Sequence, residues 1–195
     1  MSCSNDVTVL ILSGGNSTRW GSDKAQFPIL GETLLQRTIN TVHPHFSQVL
    51  LSTSTKGEYA EYSIQIVPDE IQGQGPVIGL LSGFRVAINP LVWVVACDQI
   101  GIKAELARNL YRSIGKADVI VPHHESGELE PLAALYKRDK SIEVIEDLLA
   151  VGDRRVDHLF NKLKTKYYRL HPNEEWVNLN TKEDLNAAIR KLDIP

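Results

Sequence analysis

The chain has 195 residues, of which 43% are hydrophobic and 23% charged. That is enough apolar material for a folded core, so disorder as the dominant state is excluded, and the length suits one domain over 1–195. Twenty-one Lys and Arg against 24 Asp and Glu leave a net charge of −3, which speaks against a nucleic-acid binder held by counterion release. The two cysteines, Cys3 in an N-terminus expected to fray and Cys97 at the end of an apolar run, make neither a disulfide framework nor a metal knuckle. No basic, apolar leader is recognisable. The longest apolar run, Leu91 to Cys97, is far short of the ~20 residues that cross a bilayer. The expectation is a soluble, reduced, cytoplasmic protein without a membrane partner, and a monomer by default.

In chain order, Val7 to Leu12 is an apolar, mostly β-branched or Leu run, as in a strand buried on both faces of a parallel sheet. Ser13-Gly14-Gly15 breaks it. The spacing of Leu34, Leu35, Ile39 and Val42 predicts a helix capped by Thr33 and stopped at Pro44. Strands are predicted at Val49–Ser52 and Ile64–Val67, then a helix over Val77–Ile88 with Pro76 in its first turn. Leu91–Ala96 reads as a buried strand, Ile102–Ile114 as a helix and Asp118–Val121 as a strand. A strand at Leu132–Tyr136 and a helix over Ser141–Leu149 follow. A weaker helical pattern covers Val156–Leu163, and Lys166–Leu170 suits an edge strand. Thr181 and Asp184 form a capping box for a last helix. Alternating strands and helices predict a three-layer, Rossmann-like α/β domain with a mainly parallel sheet. Its ligand would lie beyond the carboxyl ends of the strands, so the loops after Leu12, Val67, Ala96 and Val121 are the places to inspect.

The first of these loops runs from Ser13 through Gly14, Gly15 and Arg19 to Gly21-Ser22-Asp23-Lys24. Its glycines allow backbone N–H groups close to a phosphate chain, and Arg19 and Lys24 add two cations. It is neither a Walker loop nor a dinucleotide fingerprint. The second, Pro68 to Gly79, holds three glycines, a proline and Asp69, whose ionised carboxylate accepts hydrogen bonds from a base or ribose; a plain helix entry is the alternative. The third ends a buried strand at Asp98, a position that suits a Mg²⁺ ligand, although taken alone it reads as a helix cap. His43 and His45 flank Pro44 and are expected in solvent. His123-His124-Glu125 lacks zinc-site spacing, since adjacent residues of a strand face opposite ways. No hydrolase elbow is present.

With these motifs in place, the sequence resembles the molybdenum cofactor guanylyltransferases, MobA-like nucleotidyltransferases. The resemblance is carried by Leu12-Ser13-Gly14-Gly15-Asn16-Ser17-Thr18-Arg19-Trp20-Gly21-Ser22-Asp23-Lys24, Gly75-Pro76-Val77-Ile78-Gly79-Leu80 and Cys97-Asp98. It extends through Pro131–Tyr136, Gly152-Asp153-Arg154-Arg155-Val156 and Asn178-Leu179-Asn180-Thr181. The resemblance implies the nucleotide-diphospho-sugar transferase fold and transfer of GMP from GTP to the terminal phosphate of molybdopterin or its molybdenum form. By likeness, Leu12, Ser13, Gly14, Gly15, Lys24, Ser52, Asp69 and Asp98 bind nucleotide. Asp98 also holds Mg²⁺, Arg19, Lys24 and Asp98 serve the chemistry, and Arg155 and Asn180 face the pterin. Molybdopterin-carrying proteins and molybdoenzyme chaperones are the further partners it implies.

Three positions depart from the family pattern. Trp20 replaces Met. Ile100 stands where Pro is usual, which would loosen the loop carrying Asp98. Ser52 stands where a nucleotide-contacting Asn is common. The rivals are a cytidylyltransferase, disfavoured by Gly14-Gly15, a sugar-phosphate or isoprenoid-precursor nucleotidyltransferase, and a nucleotide-binding adaptor without activity.

Overall fold

A one-turn helix α1 (Cys3–Asp6) leads into β1 (Val7–Ser13), which is buried at all seven positions. A strand buried on both faces needs a strand at each edge and helices above and below, and the remainder of the chain supplies them. In order come β2 (Pro28–Ile29), β3 (Glu32–Thr33), α2 (Leu34–Val42), β4 (Gln48–Thr53), β5 (Gln65–Pro68), α3 (Pro76–Val86), β6 (Leu91–Ala96) and β7 (Gln99–Ile100). Then follow α4 (Ala104–Ile114), β8 (Val119–His123), β9 (Leu135–Lys137), α5 (Arg138–Ala150), β10 (Thr165–Arg169) and β11 (Val177–Asn178). The structure, a computed structural model, describes residues 3–13, 24–29, 31–53, 59, 61–70, 75–174, 176–181, 184 and 188.

Seven strands form one sheet in the order β10-β8-β9-β6-β1-β4-β5. All its pairings are parallel except the two made by β9. Val9 of β1 lies between Val49 of β4 and Trp93 of β6. The period of two sorts the core. Val7, Val9 and Ile11 face Leu35 and Ile39 of α2 and Leu106 and Leu110 of α4. Leu10 and Leu12 face Val77, Leu80 and Phe84 of α3 and Ile145 and Leu148 of α5. Each fully buried side chain of this kind contributes about 1.5–3 kcal/mol of transfer free energy, which holds the three layers together. A smaller cluster of Ile29, Leu34, Ile100, Leu179 and Ala188 fastens the C-terminal segment beside α2.

The predicted architecture holds, with local differences. Cys3 does not fray: it sits half-buried in α1 against the core, and Tyr111 Oη of α4 donates to Asp6 at 2.6 Å. The predicted strand at Leu132–Tyr136 begins instead as a 3₁₀ turn, Pro131–Ala133, and only Leu135–Lys137 pairs. Its connection from β8 holds no α-helix, so β9 returns antiparallel. The helix expected from Ile102 starts at Ala104, because the Ile102 N–H closes a turn on the Gln99 carbonyl. The helix expected from Ser141 starts three residues earlier, at Arg138, and its first turn is polar. Val156–Asn161 is 3₁₀. The caps are as predicted: Thr33 Oγ1 accepts the Gln36 N–H, and Thr181 Oγ1 accepts the Asp184 N–H.

Candidate active site

The parallel strands end together, and their carboxyl ends carry most of the residues singled out from the sequence. The Leu12 carbonyl accepts the Cys97 N–H at 3.1 Å, which ties the end of β1 to the residue before Asp98. Thr38 of α2 donates to the Leu34 carbonyl and, at 3.4 Å, to the Cys97 carbonyl. Lys24 opens a 3₁₀ turn, Lys24–Gln26, that is anchored by the buried Ala25. From there its Nζ reaches Asp98 Oδ2 at 2.7 Å. The two side chains are 18% and 26% exposed, so the pair is accessible to a ligand yet partly shielded from water.

A second group forms one strand further along. Asp69 follows β5, and its N–H donates to the Thr53 carbonyl. Its Oδ1 accepts the Ser52 hydroxyl at 2.6 Å. Burial pushes the Asp69 carboxyl above the usual range, and the Ser52 hydrogen bond offsets part of that rise. Ser52 itself is buried. Its hydroxyl hydrogen is committed to Asp69, so it orients that carboxylate. Gly75 enters α3 at φ +80°, a region L-residues rarely adopt. One turn on, a Cβ at Gly79 would stand 2.7 Å from Ser52 Oγ, 3.1 Å from Leu12 Cδ2 and 3.5 Å from Asp69 Oδ1. Only glycine lets α3 pack this closely on the Ser52–Asp69 pair.

The C-terminal element completes this edge. β11 pairs antiparallel with β7, Asn178 opposite Gln99, and the Leu179 N–H donates to the Asp98 carbonyl at 3.0 Å. Asn180 therefore lies just past the residue that meets the Asp98 carbonyl. Asp184 Oδ2 accepts the Thr181 and Asn180 N–H groups, each at 2.7 Å. Those bonds, with Lys24 nearby, hold the Asp184 carboxyl below the usual range. Ile100 does not loosen the loop as expected. It is buried beside Leu34 and Leu179, and its N–H donates to the Asp98 carbonyl at 3.2 Å, a bond proline could not make.

Leu12, Ser13, Lys24, Ser52, Asp69, Asp98 and Asn180 thus gather at one edge. Gly14, Gly15, Arg19 and Trp20 lie outside the described residues. Arg155 does not join the Lys24–Asp98 pair. Its guanidinium is bidentate on Asp157, and its N–H donates to Asp153, which also pairs with His158. Nor do the histidines of β8 and the turn after it cluster. His123 Nδ1 bonds the His124 carbonyl, His124 bonds Glu130, and Glu125 pairs with Arg169. Sequence reasoning missed Tyr59, fully buried, whose hydroxyl meets Ser13 Oγ at 3.2 Å where the glycine-rich loop begins. Nothing in the residues around Tyr59 signals that contact.

Among the described residues no three His, Cys, Asp or Glu side chains converge as a metal cage. The donor set still fits Mg²⁺, which prefers one or two carboxylates plus substrate phosphate oxygens to an all-protein cage. Asp98 is such a carboxylate, at the end of a buried strand. A ligand over the ends of β1 and β6 would meet backbone, a carboxylate and a cation, and the carboxyl ends of a parallel sheet are where α/β folds bind nucleotides. The comparisons agree. Residues 9–166 match the MobA-like NTP transferase domain. The chain is 31% identical over 193 residues to a Carboxydothermus hydrogenoformans protein named "Probable molybdenum cofactor guanylyltransferase", covering 95% of this chain and 96% of that one. It is 30% identical to the molybdenum cofactor guanylyltransferase of Desulfosudis oleivorans, with 93% and 94% covered. The chain belongs to the MobA-like NTP transferase family and, within it, to the molybdenum cofactor guanylyltransferases. Its fold is that of the Archaeoglobus fulgidus molybdopterin-guanine dinucleotide biosynthesis protein A, with a TM-score of 0.80 at 23% identity over 93% of this chain and 96% of that one.

Proposed function

We propose that the protein is a single-domain molybdenum cofactor guanylyltransferase that moves GMP from GTP to the terminal phosphate of molybdopterin or Mo-molybdopterin. The observation that carries this reading is the Lys24–Asp98 pair at the strand ends, flanked on one side by Ser52–Asp69 and on the other by Asn180. An acceptor phosphate oxygen attacks the α-phosphorus of GTP. The bond to the bridging oxygen breaks and pyrophosphate leaves. The attacking phosphate is already ionised at neutral pH, so no strong general base is needed. The protein's task is to hold two anions together and stabilise the departing charge.

Each side chain has a part in that task. Lys24 moves from Asp98 onto phosphate oxygens, joined by Arg19, while Leu12, Ser13, Gly14 and Gly15 line the phosphate path with backbone. Ser52 holds Asp69 through Oδ1, and the carboxylate would accept from the adjacent N1–H and 2-amino donors of guanine. Asp98 would hold Mg²⁺, which supplies charge neutralisation at the phosphates when bound. Asn180 would face the pterin; Arg155, held on Asp157, is assigned to the pterin by family likeness alone. Cys3 and Cys97 are not joined in a disulfide, which suits a reducing compartment such as the cytoplasm. Among the described residues no helix is long and apolar enough to cross a membrane. The test is incubation with a molybdopterin-bearing protein, magnesium and each of the four nucleoside triphosphates, followed by mass analysis. A GMP adduct with GTP and release of pyrophosphate are expected. A CMP adduct, or no adduct with GTP, overturns the proposal.

A further inference from the structure

The connection between β8 and β9 carries a buried carboxylate that the mechanism above leaves unused. Glu130 is 7% exposed. Its Oε1 meets His124 Nε2 at 2.9 Å and accepts from Asn178 Nδ2 at 3.0 Å. The other end of the Asn178 amide, Oδ1, accepts from Trp176 Nε1 at 3.2 Å. The Trp176 ring packs against the His124 ring, centroids 5.6 Å apart, which closes a circuit of four side chains. Trp176 is itself buried. Both ends of the Asn178 amide are thereby engaged inside the protein.

The circuit joins the β8–β9 connection to the C-terminal segment that carries β11. Glu130 is fixed by its backbone, where its N–H donates to the Pro122 carbonyl and its carbonyl accepts the Ala133 N–H. Asn178 lies in β11, which is only two residues long. A two-residue pairing is marginal on its own. Taking a carboxylate out of water is costly unless donors meet it, and an aliphatic residue would fill the space without that penalty. What the carboxylate contributes is direction: it selects one orientation of the Asn178 amide and hence one register of β11 on β7.

We infer that Glu130 is a positioning residue for the acceptor side of the reaction: through Asn178 it holds β11 and the following Leu179-Asn180-Thr181 segment beside Asp98. This rests on the guanylyltransferase reading above. The donor side stays in place without it, because Asp98 remains tied to Lys24 and Ile100.

The test uses the full chain. Hydrogen exchange over 176–181 reads the docking without any turnover. Affinity for a fluorescent GTP analogue reads the donor side, and the acceptor KM reads the consequence. Glu130→Leu strips both bonds, so exchange at Asn178 and Leu179 should accelerate by about tenfold or more and the acceptor KM rise by a similar factor. Analogue affinity should change by less than about twofold. Glu130→Gln keeps an accepting oxygen and should stay near wild type. Asn178→Asp sets a carboxylate against Glu130 and should release the segment. Glu130→Gln in that background supplies a donor and should restore both exchange protection and acceptor KM. That rescue is expected only if the two side chains act through each other, and it decides the matter if the Leu variant fails to fold. Wild-type exchange in Glu130→Leu, or no rescue in the double variant, overturns the inference. So does a loss of GTP-analogue affinity in proportion to the acceptor effect, which would mark general destabilisation. If wild type itself transfers no GMP, the guanylyltransferase reading fails, and the exchange measurements still judge the positioning.

Discussion

Replacing Gly79 with alanine tests the site where backbone packing and ligand recognition meet. In an ordinary helix interior the change stabilises by about 1 kcal/mol. Here the new methyl would stand 2.7 Å from Ser52 Oγ and 3.1 Å from Leu12 Cδ2. Neither neighbour can yield freely. Leu12 is in the core, and Ser52 is 2% exposed with its hydroxyl on Asp69. Overpacking of this kind costs about 1–3 kcal/mol. The net result is a loss of about 0–2 kcal/mol, a Tm drop of up to ~8 °C at roughly 2–4 °C per kcal/mol for a chain of this size. Relief of the clash pushes Ser52, and with it Asp69, away from α3. The KM for GTP should then rise about tenfold, equivalent to ~1.4 kcal/mol, while the acceptor KM holds. Gly83→Ala is the control, because its methyl would collide with the Leu10 side chain in the same face of the core. It should lower Tm at least as much and leave the GTP KM alone. Melting curves and initial rates on the two variants settle the point. A Gly79→Ala protein with unchanged GTP KM, or a Gly83→Ala protein with an equally raised one, refutes the reasoning.

Lys24→Ala and Asp98→Ala should each reduce GMP transfer by about 10²–10³-fold or more. Each removes only a partly exposed pair, so stability should change by about 1 kcal/mol or less, and near wild-type pyrophosphate release by either variant contradicts the assignment. Asp69→Asn should weaken GTP relative to other nucleotides yet raise Tm at pH 7. The folded carboxyl titrates above its unfolded value of 3.8, so its ionisation costs stability as pH rises past that value. The Tm advantage of the Asn variant should therefore vanish as pH falls below 3.8, and an advantage independent of pH rules the explanation out. Asp184 has the opposite sign. Its folded carboxyl lies below 3.8, so its stabilisation of the Asn180–Thr181 turn is present at neutral pH and is lost as pH falls through the depressed value. Exchange protection of the Thr181 amide should decline over that acidic range in wild type and stay flat in Asp184→Asn.

The layers were legible because their causes are local. An apolar run such as Leu91 to Ala96, or Val7 to Leu12 with Thr8 its one polar residue, cannot be solvated on either face, whatever the rest of the chain does. Thr33 caps α2, and Thr181 accepts the Asp184 N–H, through bonds three residues long. The order of strands and helices then directed attention to the right loops, since a parallel sheet places its ligand at one edge. The family motifs added the identity of several residues at that edge. None of this reasoning could supply the pairings. Lys24 meets Asp98 across 74 positions, and Glu130 meets Asn178 across 48. Such bonds depend on which strand ends the sheet order brings side by side. Ile100 shows the difference most clearly. As a departure from a motif it suggested a looser loop, whereas the strand it makes with Val177 and the bond from its N–H to Asp98 tighten it. The chain's local chemistry determined what each segment would become and which turns could hold an anion. Tertiary packing alone decided which carboxylates, amides and cations share that edge, because a hydrogen bond has direction and range while a residue's propensity has only neighbours.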